Sequence, residues 1–203
     1  MGVCNIINGI TATTAQNFLL DAGAFFKNFD IDTVIVESSK TAGKLIGATK
    51  GGGVFRAVPT WRTIEVDGAR GKVKGTEILD EWEVKLEANV IEVTTETIGL
   101  ALAVVESADV KDGKYTKLEG RNCVQLSDYI DNITWVGTLS GSEDPVIIQV
   151  YNALNNKGLE LTIEDKNEGV VPLAFTGYQD GSDTSKPPFG IFVPADSVEV
   201  PGA

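Results

Sequence analysis

The sequence predicts a mainly β fold, a β-sandwich or partly open barrel with one packed α-helix. Three observations predict it. Short runs rich in Val, Ile, Thr, Phe and Trp recur along the chain, separated by clusters of Gly, Asn, Asp and Pro. Residues 81–92 alternate between apolar and polar side chains. A single stretch, 94–106, carries helical spacing instead. The 203 residues, 42% of them aliphatic, aromatic or cysteine, suffice for one sizeable core without disulfides. No run of about 18 apolar residues is present to cross a membrane as a helix.

The elements follow in order. Residues 1–15 are small, polar and without period, which predicts a flexible N-terminal arm ahead of a single β domain over 16–203. No basic region precedes an apolar one there, so no secretion signal is expected. Residues 17–29 are aromatic-rich and interrupted by Asp21-Ala22-Gly23, which predicts two short strands around a bend or bulge. Residues 44–56 read as a strand leading into a glycine tip at Gly51-Gly52-Gly53, and 60–67 as the returning strand. A second glycine-rich loop covers 67–75.

In 81–92, Trp82, Val84, Leu86, Ala88 and Val90 form a dry face, and Glu81, Glu83, Lys85, Glu87 and Asn89 a wet one. Glu65 and Asp67 alternate with Ile64 and Val66 in the same sense, so the two strands are expected to share an acidic side. In 94–106, Ile98, Ala101, Leu102 and Val105 fall at i, i+3, i+4 and i+7, with Thr94 or Thr95 as N-cap. Runs at 132–139, 146–151, 159–163, 170–175 and 189–193 complete the strands, with turns at Asp112-Gly113 and Asn156-Lys157-Gly158. Pro172 suits an edge or a bulge because it cannot donate to a ladder.

Composition excludes several chemistries. The chain has no histidine, so Ser-His-Asp and Cys-His catalysis and His-ligated zinc are not available to it. Its 17 Lys and Arg against 29 Asp and Glu give a net charge of −12, which opposes binding to nucleic acid or anionic membranes. Cys4 and Cys123 are distant in sequence and read as two thiols rather than a disulfide. Glu81, Glu83 and Glu87 read as a solvated strand face before an acid pair for glycoside cleavage, since no aromatic platform surrounds them. Asp165-Lys166-Asn167-Glu168-Gly169 and Asp180-Gly181-Ser182-Asp183 are fragments of a calcium loop and read as turns. The glycines at 47–53 lack the Gly-Lys-Ser/Thr ending of a phosphate loop.

The charge distribution is the remaining signal. Residues 40–74 hold eight cations and two anions, a net +6 inside a chain of −12. Either this stretch lies on the chain's own acidic body, or it forms a protruding arm that docks on the acidic body of a neighbouring copy.

The succession Asp21–Phe29, Leu45–Gly52, Thr63–Gly75, a strand, one helix, Val146–Leu154 and a closing Pro-Phe/Ile segment resembles the major tail tube proteins of long-tailed bacteriophages over roughly residues 17–194. The resemblance implies a virion protein, assembled in the host cytoplasm, that polymerises into stacked and commonly hexameric rings. Its partners would be further copies of itself, a tape-measure protein and tail-completion proteins, with DNA only in transit and no cofactor or enzymatic activity. The resemblance adds a long protruding hairpin: residues 40–60 would form this inter-ring stacking hairpin, with Lys44, Lys50, Gly51, Gly52, Gly53, Phe55 and Arg56 near its working end. Glu65, Asp67, Glu81, Glu83 and Glu87 would face the lumen and repel DNA phosphates. The alternative from another class is a monomeric immunoglobulin-like or adhesion module that binds a surface ligand.

Overall fold

A computed structural model describes residues 9–11, 13–32, 44–163, 165 and 168–195. Ten strands and one helix follow in order: β1 (Leu19–Lys27), β2 (Lys44–Leu45), β3 (Thr49–Thr63), β4 (Glu77–Val90), α1 (Thr95–Leu102), β5 (Val105–Val110), β6 (Tyr115–Gly120), β7 (Ile130–Leu139), β8 (Val146–Asn155), β9 (Val171–Thr176) and β10 (Phe189–Phe192). The fold is mainly β with a large antiparallel sheet that does not close into a barrel.

The sheet runs β2-β1-β7-β8-β9-β4-β3, with β10 paired to β8 and the β5–β6 hairpin standing apart. It curls until its two ends meet: a Cβ added to Gly53 of β3 would lie 2.4 Å from the Phe25 ring of β1. The inward faces enclose Phe25, Val84, Leu86, Val90, Ile133, Val150, Val171, Leu173 and Phe175, all essentially inaccessible to water. Alternation puts these residues there: Val84, Leu86, Ala88 and Val90 of β4 are buried as the period of two predicts. Pro172 sits where β9 has β4 on one side only, because β8 reaches β9 only at Leu154 and Asn155. The missing N–H therefore leaves no ladder bond unmade.

Residues 17–29 make one bulged strand rather than two. The register of β1 on β7 shifts between Leu20 and Ala24. Gly23 has φ +66°, and a Cβ there would lie 2.4 Å from the Trp135 indole nitrogen. That indole donates to the Ala22 carbonyl at 2.8 Å, so the bulge is held by a core side chain. Residues 1–8 of the expected N-terminal arm lie outside the described residues. The end of that arm is tied: the Ser140 hydroxyl donates to the Ala15 carbonyl at 2.7 Å, and the Phe18 N–H donates to that hydroxyl at 3.0 Å.

The helix is shorter than 94–106 and turned by one residue. Thr94 caps it, accepting from the Thr97 N–H at 3.1 Å while the Thr97 hydroxyl accepts from the Thr94 N–H at 2.8 Å. Of the expected stripe only Ala101 is buried, beside Thr97 and Leu100, while Ile98, Leu102 and Val105 are half-buried. Ala103 ends the helix at φ +60°, and Val105 opens β5. Asn155, buried on β8, donates to the Leu100 and Ala101 carbonyls at 3.1 and 3.0 Å, which answers two of the helix's orphan acceptors. The expected strand at 159–163 is reduced to one bridge, Thr162 with Val170.

The largest correction concerns the glycines. Gly51, Gly52 and Gly53 are not a hairpin tip. They lie inside β3, which runs unbroken to Thr63 and turns only through residues 64–76 before β4. Between Thr49 and Gly53 the register on β4 advances by only two residues, so Lys50–Gly52 bulge outward, with Gly51 and Gly52 at φ +81° and +70°. Sequence signals cannot separate a glycine bulge from a glycine turn, because both need the same backbone freedom.

Candidate functional site

The β3–β4 hairpin outruns the body. The last residue of β4 paired with β9 on that side is Lys85, opposite Thr176. From there β3 continues to Thr63, β4 begins at Glu77, and the loop 64–76 closes them, with no third strand alongside among the described residues. This arm is a true hairpin, but its tip is at 64–76, not within 40–60.

The residues expected at its working end sit on the body instead, each engaged. Lys44 pairs with Glu96 at 2.5 Å, Lys50 with Glu168 at 2.7 Å and Arg56 with Glu87 at 2.5 Å. Lys50 holds the Glu168 carboxyl below the usual glutamate range by its hydrogen bond and charge. Phe55 packs on Phe189 with ring centroids 5.9 Å apart. Farther out, Arg62 pairs with Asp80 at 3.2 Å. The basic stretch therefore divides. Its first half lies on the chain's own carboxylates, while Arg70, Lys72 and Lys74 in the arm loop have no ion pair among the described residues. Lys40 lies outside the described residues.

The expected lumen residues also divide. Glu81, Glu83 and Glu87 share the outward face of β4, as the alternation predicts. Lys85 sits between them and binds Glu83 at 2.5 Å, lowering the Glu83 pKa first through the hydrogen bond and then through its charge. With Arg56 on Glu87, two of the three carboxylates are neutralised and Glu81 is left unpaired among the described residues. Glu65 and Asp67 are not on that strand face. β3 ends at Thr63, and both lie in the loop, lining an open hollow with Thr63 and Lys72.

Two features escaped the sequence reading. The first is the uncovered apolar side of the arm. Phe55, Ala57 and Pro59 face inward opposite Leu86, Val84 and Trp82, and Phe189 lies against Phe55 and Trp82. Two residues on, Trp61 continues the same face with Leu79 opposite, and both are exposed, at 58% and 40%. The alternation Phe55, Ala57, Pro59, Trp61 was readable, had the strand not been broken at the glycines.

The second is the open outer edge of β3. Ile64 donates its N–H to Thr76 at 2.8 Å, and Val84 turns its carbonyl away from β3 to accept from Gly177 at 3.0 Å. Both fix the alternation, so Phe55, Ala57 and Trp61 present their backbone groups to the open edge. Pro59 belongs to that row and contributes a carbonyl but no N–H. Among the described residues no group of three or more His, Cys, Asp or Glu is placed to hold a metal ion, and Cys123 is an exposed free thiol. No protein-family model and no curated protein matches this chain.

Proposed function

We propose that this chain is a structural building block that assembles with copies of itself into rings and a stacked tube, as the resemblance to phage tail tube proteins implies. The carrying observation is the β3–β4 arm. It extends past the sheet that shelters its root, bears Arg70, Lys72 and Lys74, which have no ion pair among the described residues, and belongs to a chain of net charge −12. Opposite charge guides such an arm onto another copy and rejects other orientations more than it adds affinity. Contact that passes an arm from each copy to the next is head-to-tail, the kind that closes rings or propagates filaments.

The open edge of β3 supports the same reading, because a free row of backbone groups is satisfied when strands of neighbouring copies pair. Glu81, Glu83 and Glu87 are the proposed lumen face. With Lys85 and Arg56 beside them the wall is nearly balanced, carrying about one net negative charge per copy over these five side chains. Such a wall offers DNA no cationic hold. The corrected arm residues are Arg70, Lys72 and Lys74, with Lys44, Lys50, Gly51, Gly52, Gly53, Phe55 and Arg56 shaping the root.

Negative-stain microscopy with sedimentation over a concentration series tests the proposal. Hollow rings or tubes are expected. A single copy at every concentration overturns it and favours the immunoglobulin-like binding module.

A further inference from the structure

We infer that Trp61, on the uncovered face of the arm, is the side chain that anchors the arm in a second copy of this chain, and that Arg70, Lys72 and Lys74 steer it there. The inference rests on the assembly reading above and assigns the energy within it.

The arm is the core layer of the body carried past its cover. At the root, the inward face of the hairpin is roofed by Phe189, 5.9 Å from Phe55 and 5.3 Å from Trp82 between ring centroids. Beyond Pro59 the same face has no roof among the described residues, and the Trp61 indole stands with over half its surface exposed, opposite Leu79. A tryptophan is large, holds few rotamers and gains on desolvation, so truncating one in an interface commonly costs far more than removing a charge at the rim.

Charge indicates what supplies the missing roof. In the 64–76 loop the cations Arg70, Lys72 and Lys74 outnumber the anions Glu65 and Asp67 by one, and none of the three cations is in an ion pair among the described residues. The −12 chain is itself a partner of opposite sign. The cations at the arm's root that would repel an incoming loop, Lys44, Lys50 and Arg56, are each already held by a carboxylate of their own chain. A second copy thus meets the loop with net negative potential.

Tryptophan reports the contact directly, because Trp135 is buried and Trp82 half-buried, leaving Trp61 as the most water-exposed of the three. The full chain is compared free and assembled by acrylamide quenching and sedimentation, beside Trp61→Ala, Trp61→Phe and the triple variant Arg70→Glu, Lys72→Glu, Lys74→Glu. Assembly should shield Trp61 from acrylamide. Trp61→Ala should raise the half-assembly concentration by about tenfold or more, with Trp61→Phe recovering most of the loss. The triple variant should slow assembly and abolish its acceleration at low salt. Circular dichroism identical to the parent protein confirms that the variants fold.

Assemblies in which Trp61 stays as quenchable as in the free chain, or that Trp61→Ala leaves unchanged, overturn the anchor and leave the assembly reading standing. A parent chain that never leaves the single-copy state overturns both.

Discussion

The inner and outer halves of the β3–β4 hairpin are the same two strands in different company. The inner half has β9 beside it and a packed layer beneath, where Val84, Leu86 and Val90 meet Phe25 and Phe175. The outer half keeps the ladder, with one register shift between Thr60 and Trp61 where Asp80 is the extra residue of β4, but among the described residues it has neither the neighbouring strand nor the covering layer, and Trp61 and Leu79 are left exposed. Backbone pairing alone does not decide where a sheet is stable. A lone two-stranded ribbon is marginal in water, and its ordered root is what the body supplies to the arm.

The strongest way to break this comparison is to truncate one large side chain in each half. Phe175→Ala should cost about 3–5 kcal/mol, since the ring is fully buried, whereas Trp61→Ala in the free chain should cost less than about 1 kcal/mol. Equal shifts in denaturant midpoint would mean that the arm is covered by its own chain. A second test lies within the inner half, where β3 passes β1. Gly53→Ala forces a methyl against the Phe25 ring and the Glu87 carbonyl, each 2.4 Å from the new carbon, and should cost about 1–3 kcal/mol. An unchanged Tm would show that the two ends of the curled sheet do not meet there.

Amide exchange sharpens the picture further. Amides of β4 at Leu86 and Val90 should exchange only by global unfolding, and that of Ile78, paired with Arg62, by local opening of the arm. A smaller effect of opposite sign is expected at the helix. Gly99 has open space where a Cβ would stand, so Gly99→Ala should stabilise by up to about 1 kcal/mol in thermal melts. The smallest concerns the outward face of β4. Lys85 lowers the Glu83 pKa, so the contribution of that pair is complete above the ordinary glutamate pKa and fades as pH falls through the lowered one. Titration by NMR should find Glu83 below the ordinary value, and Lys85→Met should return it there; no change in the variant would remove Lys85 as the cause.

The fold was legible wherever a periodic pattern was long and uninterrupted. Residues 81–92 announced a half-buried strand, and Asp21-Ala22-Gly23 announced the bulge that Trp135 locks. The helix was found but misphased, because its rotation is set by Thr97 turning inward to hydrogen-bond the Glu92 carbonyl at 2.8 Å, a polar side chain that hydrophobic spacing does not count. The arm was anticipated and misplaced, since three glycines in a bulge outweighed the alternation running past them. Nor could composition tell which cations were free. Lys50 and Glu168 meet across 118 positions, a pairing that only the folded sheet creates.

Pro59 bears on what the open margin of β3 can do in the single chain. A newly made copy carries a long exposed margin able to template indiscriminate cross-β growth. An imide nitrogen midway along that margin, with the Lys50–Gly52 bulge below it, interrupts the row of donors and leaves only a short window for a visiting strand. A ladder that cannot run on in both directions is a poor seed for fibres.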